Sequence, residues 1–221
     1  ENPVVVFDLK GGEPMRPDQF YAKSGNDVTL LSHSRDVERI SKDLSGDELN
    51  AASLLHDIGK ISPAFQKIIG KGSWDSDWHF KLDIPHNILS LFFIDKRALF
   101  ERFGEESLSI LSAIAFHHYR ERTGDYLSRP KLLVKAAREL KANAPAISET
   151  LKLFDRELGL NGLLSLDHQM VDGIIGDSSL LDMGILIPPY KLSFSIYRAG
   201  SNPLNLDRKS TRLNSSHRIR S

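Results

Sequence analysis

Five histidines and one aspartate are the residues of this chain whose chemistry and spacing suit a metal site. They are His33, the adjacent pair His56 and Asp57, His86, and the adjacent pair His117 and His118. The chain has no cysteine, so thiolate zinc sites and cysteine nucleophiles are excluded. Imidazole with carboxylate suits manganese, iron, cobalt, nickel or zinc, and a carboxylate can bridge two ions. The pattern therefore predicts a site for divalent metal ions.

The pair His56–Asp57 lies in the stretch LLHDIGK, residues 54–60. The apolar residues before it indicate a helix that delivers the pair, Gly59 permits a tight exit, and Lys60 is able to face a phosphate. A buried histidine and aspartate need partners or a metal to offset their desolvation. Each histidine alone is more often an ordinary surface or core residue, so the prediction depends on the six residues together. Two ions about 3.5 to 4 Å apart can activate a water and hold a phosphate.

The elements that must position these residues are helices. Apolar spacings of three and four predict helices from His33 onward, from Asp47 to Ile58, after a restart at Ser62–Pro63, from Pro85, and over about 105–119, 130–140, 148–158 and 163–175. Residues 70–84 are predicted as a loop. Neighbours on a helix point about 100° apart, so His117 and His118 reach one cluster only near a helix end. The fold class is therefore predicted as all-α, with the metal site between helices.

Composition limits the class of protein. The chain has 221 residues, of which 40% are hydrophobic and 26% charged, so it should fold around a sizeable core. No apolar run reaches the roughly 18 residues of a membrane span and no signal-peptide pattern opens the chain, which predicts a cytoplasmic protein with no membrane partner. Residues 1–206 hold 24 basic and 28 acidic residues, a net charge of −4. That charge is not typical of a stand-alone nucleic-acid binder.

The last fifteen residues read DRKSTRLNSSHRIRS and differ in character from the rest. The string DRKSTRLNSSH resembles the translation of a common sequencing-library adapter, and such segments are left out of fold reasoning. We therefore expect residues 1–206 to form one domain and residues 207–221 to be a non-native, adapter-derived tail. On this interpretation the native sequence is cut near Leu206.

The sequence resembles the HD phosphohydrolase superfamily and, within it, the HD nuclease of type I CRISPR-Cas interference. The resemblance runs from about Tyr21 to Arg122, through YAKSG, TLLSH, NAASLLHDIGKISPAFQ, PHNILSLFF and AIAFHH. The HDIGK core alone indicates only the superfamily. The SPAFQ, YAKSG and HH stretches are similar to the CRISPR nuclease rather than to a nucleotide phosphohydrolase.

The resemblance implies a role for each of the six residues. His33, His56 and Asp57 would hold one metal ion, and His86, His117 and His118 a second, with Asp57 bridging. Asp57 and Lys60 would be catalytic, Lys60 facing the scissile phosphate. The ions would be manganese, nickel, cobalt or iron, with magnesium possible. The family cuts single-stranded DNA and works with an interference helicase and the RNA-guided surveillance complex Cascade, whose R-loop exposes the displaced strand.

The chain departs from the family pattern at one expected ligand. The family closes its first metal site with a late aspartate, and the matching Asp207–Arg208 lies inside the suspected tail. Asp172, Asp177 and Asp182 are candidate substitutes. Other functions therefore stay open. One is an HD phosphohydrolase acting on nucleotides, or the HD part of a type III CRISPR subunit, and another is a catalytically inactive HD docking module.

Overall fold

The computed structural model describes residues 16–25, 27–42, 46–70, 84–118 and 130–176, and the structural statements concern these residues. Its helices are α1 (Leu30–Lys42), α2 (Asp47–Leu55), α3 (Pro63–Ile68), α4 (His86–Phe92), α5 (Lys96–Phe103), α6 (Glu106–Phe116), α7 (Pro130–Ala142), α8 (Ala144–Leu158) and α9 (His168–Gly176). Short 3₁₀ turns span Pro17–Gln19 and Ile58–Ile61. Within these residues the only β pairing is two isolated bridges, Tyr21 with Thr29 and Ile94 with Leu164. The predicted all-α fold class is confirmed.

The core lies between α2, α4 and α6, with α1 packed on α2 and α8 on α1. Helix α4 is buried at every position from Asn87 to Phe92, and α6 is buried from Ile110 to Phe116. Phe20, before α1, packs on Phe154 of α8 with ring centroids 5.5 Å apart. Burial of apolar side chains is the main stabilising term of such a core. It fixes the ends of α2, α4 and α6 relative to one another.

The turn after α2 brings the chain directly against α4. Helix α2 ends at Leu55, and the 3₁₀ turn follows Asp57, whose φ of −106° and ψ of 5° leave the helical region. Gly59 meets the backbone of α4: a Cβ there would lie 2.0 Å from the His86 carbonyl oxygen and 2.8 Å from the Ser90 nitrogen. Only glycine permits that approach. Gly59, which was predicted to let the chain turn away from α2, thus also lets the Ile58–Ile61 turn contact the backbone of α4.

Helix boundaries differ from the sequence prediction in several places. Helix α1 begins at Leu30 instead of His33, α2 ends at Leu55 instead of Ile58, and α8 begins at Ala144 instead of residue 148. Pro85 is the cap residue before α4 rather than its first residue. Helix α5 is absent from the prediction because it is short and mostly exposed. Asp95 caps its first turn by accepting a hydrogen bond from the Ala98 N–H at 2.9 Å. Helix α9 begins at His168 instead of residue 163, because residues 163–167 bind the backbone after α4: Ser165 N–H donates to the Phe93 carbonyl.

Several sequence predictions fall outside the described residues. These are the loop over residues 71–83, the candidate ligands Asp177, Asp182 and Asp207, and the tail 207–221. Among the described helices, none combines the length and apolar character needed to cross a membrane.

Candidate metal centre

Asp57 lies at the centre of the cluster, and its Oδ2 atom faces three side chains. His33 Nε2 lies 3.1 Å from this oxygen, His56 Nε2 lies 3.2 Å from it, and Lys60 Nζ lies 2.7 Å from it. The Asp57 side chain is 3% exposed, whereas His33 keeps 18% of its surface in contact with solvent. Solvent therefore reaches this group of residues on the side where His33 lies.

The other carboxylate oxygen, Asp57 Oδ1, faces a second set of imidazoles. His86 Nε2 lies 3.1 Å from it and His117 Nε2 lies 3.4 Å from it. His118 Nε2 lies 2.9 Å from His86 Nε2. The two oxygens of one buried carboxylate thus serve two separate groups of histidines.

Each ligand candidate lies at the end of a helix that the core holds in place. His33 lies in the first turn of α1, and His86 is the first residue of α4. His117 and His118 directly follow α6. Because the helix ends there, the two neighbouring rings reach the same cluster, with centroids 4.1 Å apart. All six residues singled out in the sequence are brought together.

Backbone carbonyls set the protonation of two of the rings. Ser53 O lies 2.8 Å from His56 Nδ1, and Ile114 O lies 2.7 Å from His117 Nδ1. A carbonyl oxygen can only accept, so Nδ1 carries the proton in both rings. In the neutral form of His117 the Nε2 lone pair then points at Asp57. A backbone bond on the far nitrogen is the usual way in which proteins orient histidine ligands.

The buried histidines resist protonation. Burial lowers the pKa of His86 to about 3 and that of His117 to about 4, although the negative charge of Asp57 opposes the shift. Both rings are therefore neutral at neutral pH and keep a lone pair available. Metal ligation requires that form of imidazole.

Asp57 is held in its ionised form. Burial raises the pKa of this carboxyl group, but nearby positive charge, including that of Lys60 at 2.7 Å, outweighs burial, so the pKa lies well below its ordinary value. The centre therefore combines an anionic carboxylate with the neutral imidazoles of His86 and His117.

These donors fit divalent metal ions. The ligand atoms of His33, His56 and Asp57 lie within 4.8 Å of one another, and so do those of Asp57, His86, His117 and His118. Asp57 Oδ1 and His117 Nε2 are buried and have no hydrogen-bond partner within the described residues. A bound cation would satisfy both of these buried acceptors, and leaving them unpaired is costly.

The family model described as "Cas3, HD domain" matches residues 22–166, more than half of the chain. This chain belongs to the Cas3 HD-domain family. The matched residues include all six members of the cluster. No curated protein and no solved structure matches the chain. Family membership identifies the chain as a Cas3-type CRISPR HD domain, and such domains belong to the metal-dependent hydrolases. The resemblance that the sequence indicated is confirmed.

The cluster of this Cas3 HD domain is held by buried polar residues that the sequence analysis did not single out. Gln66 donates to the carbonyls of Tyr21 and Lys60 at 2.9 and 2.8 Å, and Asn87 donates to the Ala115 carbonyl. Both side chains are fully buried. Gln66 lies in the SPAFQ stretch that supports the family resemblance. Its hydrogen bond to Tyr21, 45 residues earlier, could not be predicted because such a contact leaves no periodic pattern in the sequence.

Asp172, a candidate for the late aspartate of the family, is not part of the cluster. It lies on α9, where its carboxylate binds Lys141 at 2.8 Å, and both side chains are more than half exposed. Within the described residues the His33 group therefore has three ligands, whereas the His86 group has four.

Proposed function

We propose that this chain is a metal-dependent nuclease that cleaves single-stranded DNA during type I CRISPR interference. The observation that carries the proposal is the pair of ligand groups that share the buried Asp57, a donor set that suits divalent cations. Membership of the Cas3 HD-domain family supports the same reading.

The chemistry follows from the type of donors at the centre. Two divalent ions supply Lewis acidity, which lowers the pKa of a water and stabilises charge on the phosphoryl oxygens. Asp57 would bridge the two positions, with His33 and His56 on one side and His86, His117 and His118 on the other. The oxygen of a water would add to phosphorus while the bond from phosphorus to the 3′ oxygen breaks. The proton released by the water would pass to the 3′ oxygen as it leaves.

Lys60 would act on the phosphate. Its amine lies 2.7 Å from Asp57 Oδ2 and 5.5 Å from the centroid of the Phe65 ring, and its side chain is 12% exposed. A lysine on a flexible four-carbon stem can move from a carboxylate to a nearby phosphate oxygen. Its role would be to position the substrate and to offset charge.

The substrate would be delivered by partners. The full chain has no net charge, and residues 1–206 carry a net charge of −4. Nucleic-acid binders that act alone concentrate positive charge on one face. We therefore propose that the interference helicase and the surveillance complex bring the displaced strand to the metal centre.

The test is cleavage of circular single-stranded DNA by the 221-residue chain with manganese, nickel or magnesium, beside phosphate release from a panel of nucleotides. Asp57→Asn removes the shared charge with little change in volume and should abolish cleavage. Asp172→Asn, which changes an exposed aspartate outside the cluster, is the matched control and should cleave like the unmodified chain.

Three results would count against the proposal in different ways. Nucleotide hydrolysis without DNA cleavage would favour a nucleotide phosphohydrolase. Metal binding without either activity would favour a docking module of the surveillance complex. Cleavage that survives Asp57→Asn would show that the catalytic centre lies elsewhere.

A further inference from the structure

Ser90, on α4, joins the turn that carries Asp57 to the helix that carries His86. Its side chain is fully buried. Its hydroxyl accepts a hydrogen bond from the Gly59 N–H at 2.9 Å. The carbonyl oxygens of His56 and His86 lie 3.0 and 2.9 Å from the same hydroxyl, which has one proton to donate.

The partners of this hydroxyl flank Asp57 in the chain. The His56 carbonyl directly precedes Asp57, and the Gly59 N–H lies two residues after it. The approach is possible because Gly59 lacks a Cβ, which would collide with the α4 backbone. Serines inside helices commonly donate to the carbonyl four residues earlier in the same helix. Ser90 differs from that common pattern because it also accepts a hydrogen bond from Gly59, in the turn that follows α2. Ser90 therefore has a geometry suited to holding one turn against one helix.

We infer that Ser90 is a positioning residue, which sets the distance between the two ligand groups by fixing the Asp57 turn against His86. His56 belongs to one group and His86 to the other, and Ser90 contacts the backbone of both. The inference rests on the proposed two-metal centre. Residues that orient metal ligands without touching the metal commonly change metal affinity about 10-fold to 100-fold when they are replaced.

The test compares three full-length proteins titrated with Mn²⁺ alone and read by electron paramagnetic resonance. Two manganese ions that share a carboxylate give a spin-coupled spectrum, whereas isolated ions give a simple six-line spectrum. We expect the coupled spectrum from the unmodified chain at two equivalents. Ser90→Ala should need about 10-fold to 100-fold more Mn²⁺ to reach it.

Ser107→Ala is the matched control. Ser107 is also fully buried and its hydroxyl also binds a distant carbonyl, that of Leu99 at 2.9 Å, but it does not contact the cluster. It should lose a similar amount of stability and keep the coupled spectrum. A merely structural role for Ser90 predicts the same result for both variants.

The outcomes separate this inference from the proposal on which it rests. A coupled spectrum from Ser90→Ala at the Mn²⁺ level of the unmodified chain would overturn the role of Ser90 and leave the metal centre intact. Absence of the coupled spectrum from the unmodified chain would overturn the two-metal centre itself. If Ser90→Ala does not fold, Ser90→Thr, which keeps the hydroxyl, should fold and keep the coupling; loss of coupling in folded Ser90→Thr would contradict the inference.

Discussion

Asp57 is the residue that both ligand groups share, because each of its two carboxylate oxygens faces a different group of imidazoles. Oδ2 lies near His33 and His56, and Oδ1 lies near His86 and His117. A carboxylate can bridge two ions in this way, whereas an imidazole cannot. No other residue of the cluster could be replaced with so large an effect on both groups.

The buried histidines predict how stability depends on pH when no metal is bound. Burial holds the pKa of His86 near 3 and that of His117 near 4, below the ordinary value of 6.5. Between these values the unfolded chain binds protons that the folded chain does not, so the free energy of unfolding is greatest above about pH 6.5 and falls as the pH decreases towards 4. Urea unfolding in EDTA at several pH values measures this slope.

His117→Gln should flatten the dependence of stability on pH, because glutamine does not titrate. His168→Gln is the control, since His168 is exposed at the start of α9. Equal slopes for His117→Gln and the unmodified chain would show that this histidine does not take up a proton on unfolding.

The six cluster residues could be predicted from the sequence because histidine and aspartate are distinctive and lie at predictable helix ends. The residues that hold them could not. Ser90 and Gln66 act through hydrogen bonds to residues 31 and 45 positions away. Serine and glutamine inside a buried stretch have many possible partners, and helical spacing does not tell which one is met.

At the scale of elements, the contact between the Ile58–Ile61 turn and α4 decides the geometry of the centre. Gly59→Ala would place a Cβ 2.0 Å from the His86 carbonyl oxygen, and backbone atoms there cannot give way as a side-chain tip could. Overpacking of this kind typically costs about 1–3 kcal/mol. We expect Gly59→Ala to lose about that much unfolding free energy, measured by urea denaturation, and to bind Mn²⁺ more weakly.

Gly176→Ala is the matched control for this substitution. Gly176 ends α9, and among the residues that the structure describes a Cβ there would meet no atom within 4 Å. Its unfolding free energy should change by about 0.5 kcal/mol or less. If Gly59→Ala is as stable as Gly176→Ala, the turn and α4 are not in the close contact described.

The helices that carry the ligands were predictable, but some others were not. Helices α2 and α6 contain apolar stretches just before His56 and His117, so their ends could be placed from the sequence to within three residues. Helix α5 buries only Leu99 and gives little periodic signal. Residues 163–167 have a helix-compatible composition, yet pairing with the backbone near Phe92 and Phe93 keeps them extended. Tertiary contacts override weak local preference there.

At the scale of the whole molecule, the charge balance predicts weak binding to DNA without partners. The full chain has 29 basic and 29 acidic residues. We expect it to bind single-stranded DNA no tighter than about 1 μM at physiological salt, in the range of non-specific binding. Fluorescence anisotropy of a labelled oligonucleotide measures this affinity. Nanomolar binding that falls steeply with salt would instead indicate a built-in DNA groove and no need for delivery.

The family could be predicted from short motifs because HDIGK, which indicates the superfamily, and SPAFQ, YAKSG and HH, which indicate the CRISPR nuclease, are each local in sequence. The late aspartate of the family is a different case. The candidates Asp177, Asp182 and Asp207 lie outside the described residues, and Asp172 is already paired with Lys141. The extents of the domain and of the tail, 1–206 and 207–221, stay predictions.

The most direct test of the two-metal centre is anomalous X-ray scattering from crystals of the full chain soaked in Mn²⁺. We predict two anomalous peaks about 3.5 to 4 Å apart, one beside His33 and His56 and one beside His86, His117 and His118, with Asp57 between them. Neither peak should form in crystals of Asp57→Asn. Peaks away from this cluster, or none in crystals of the unmodified chain, would contradict the account.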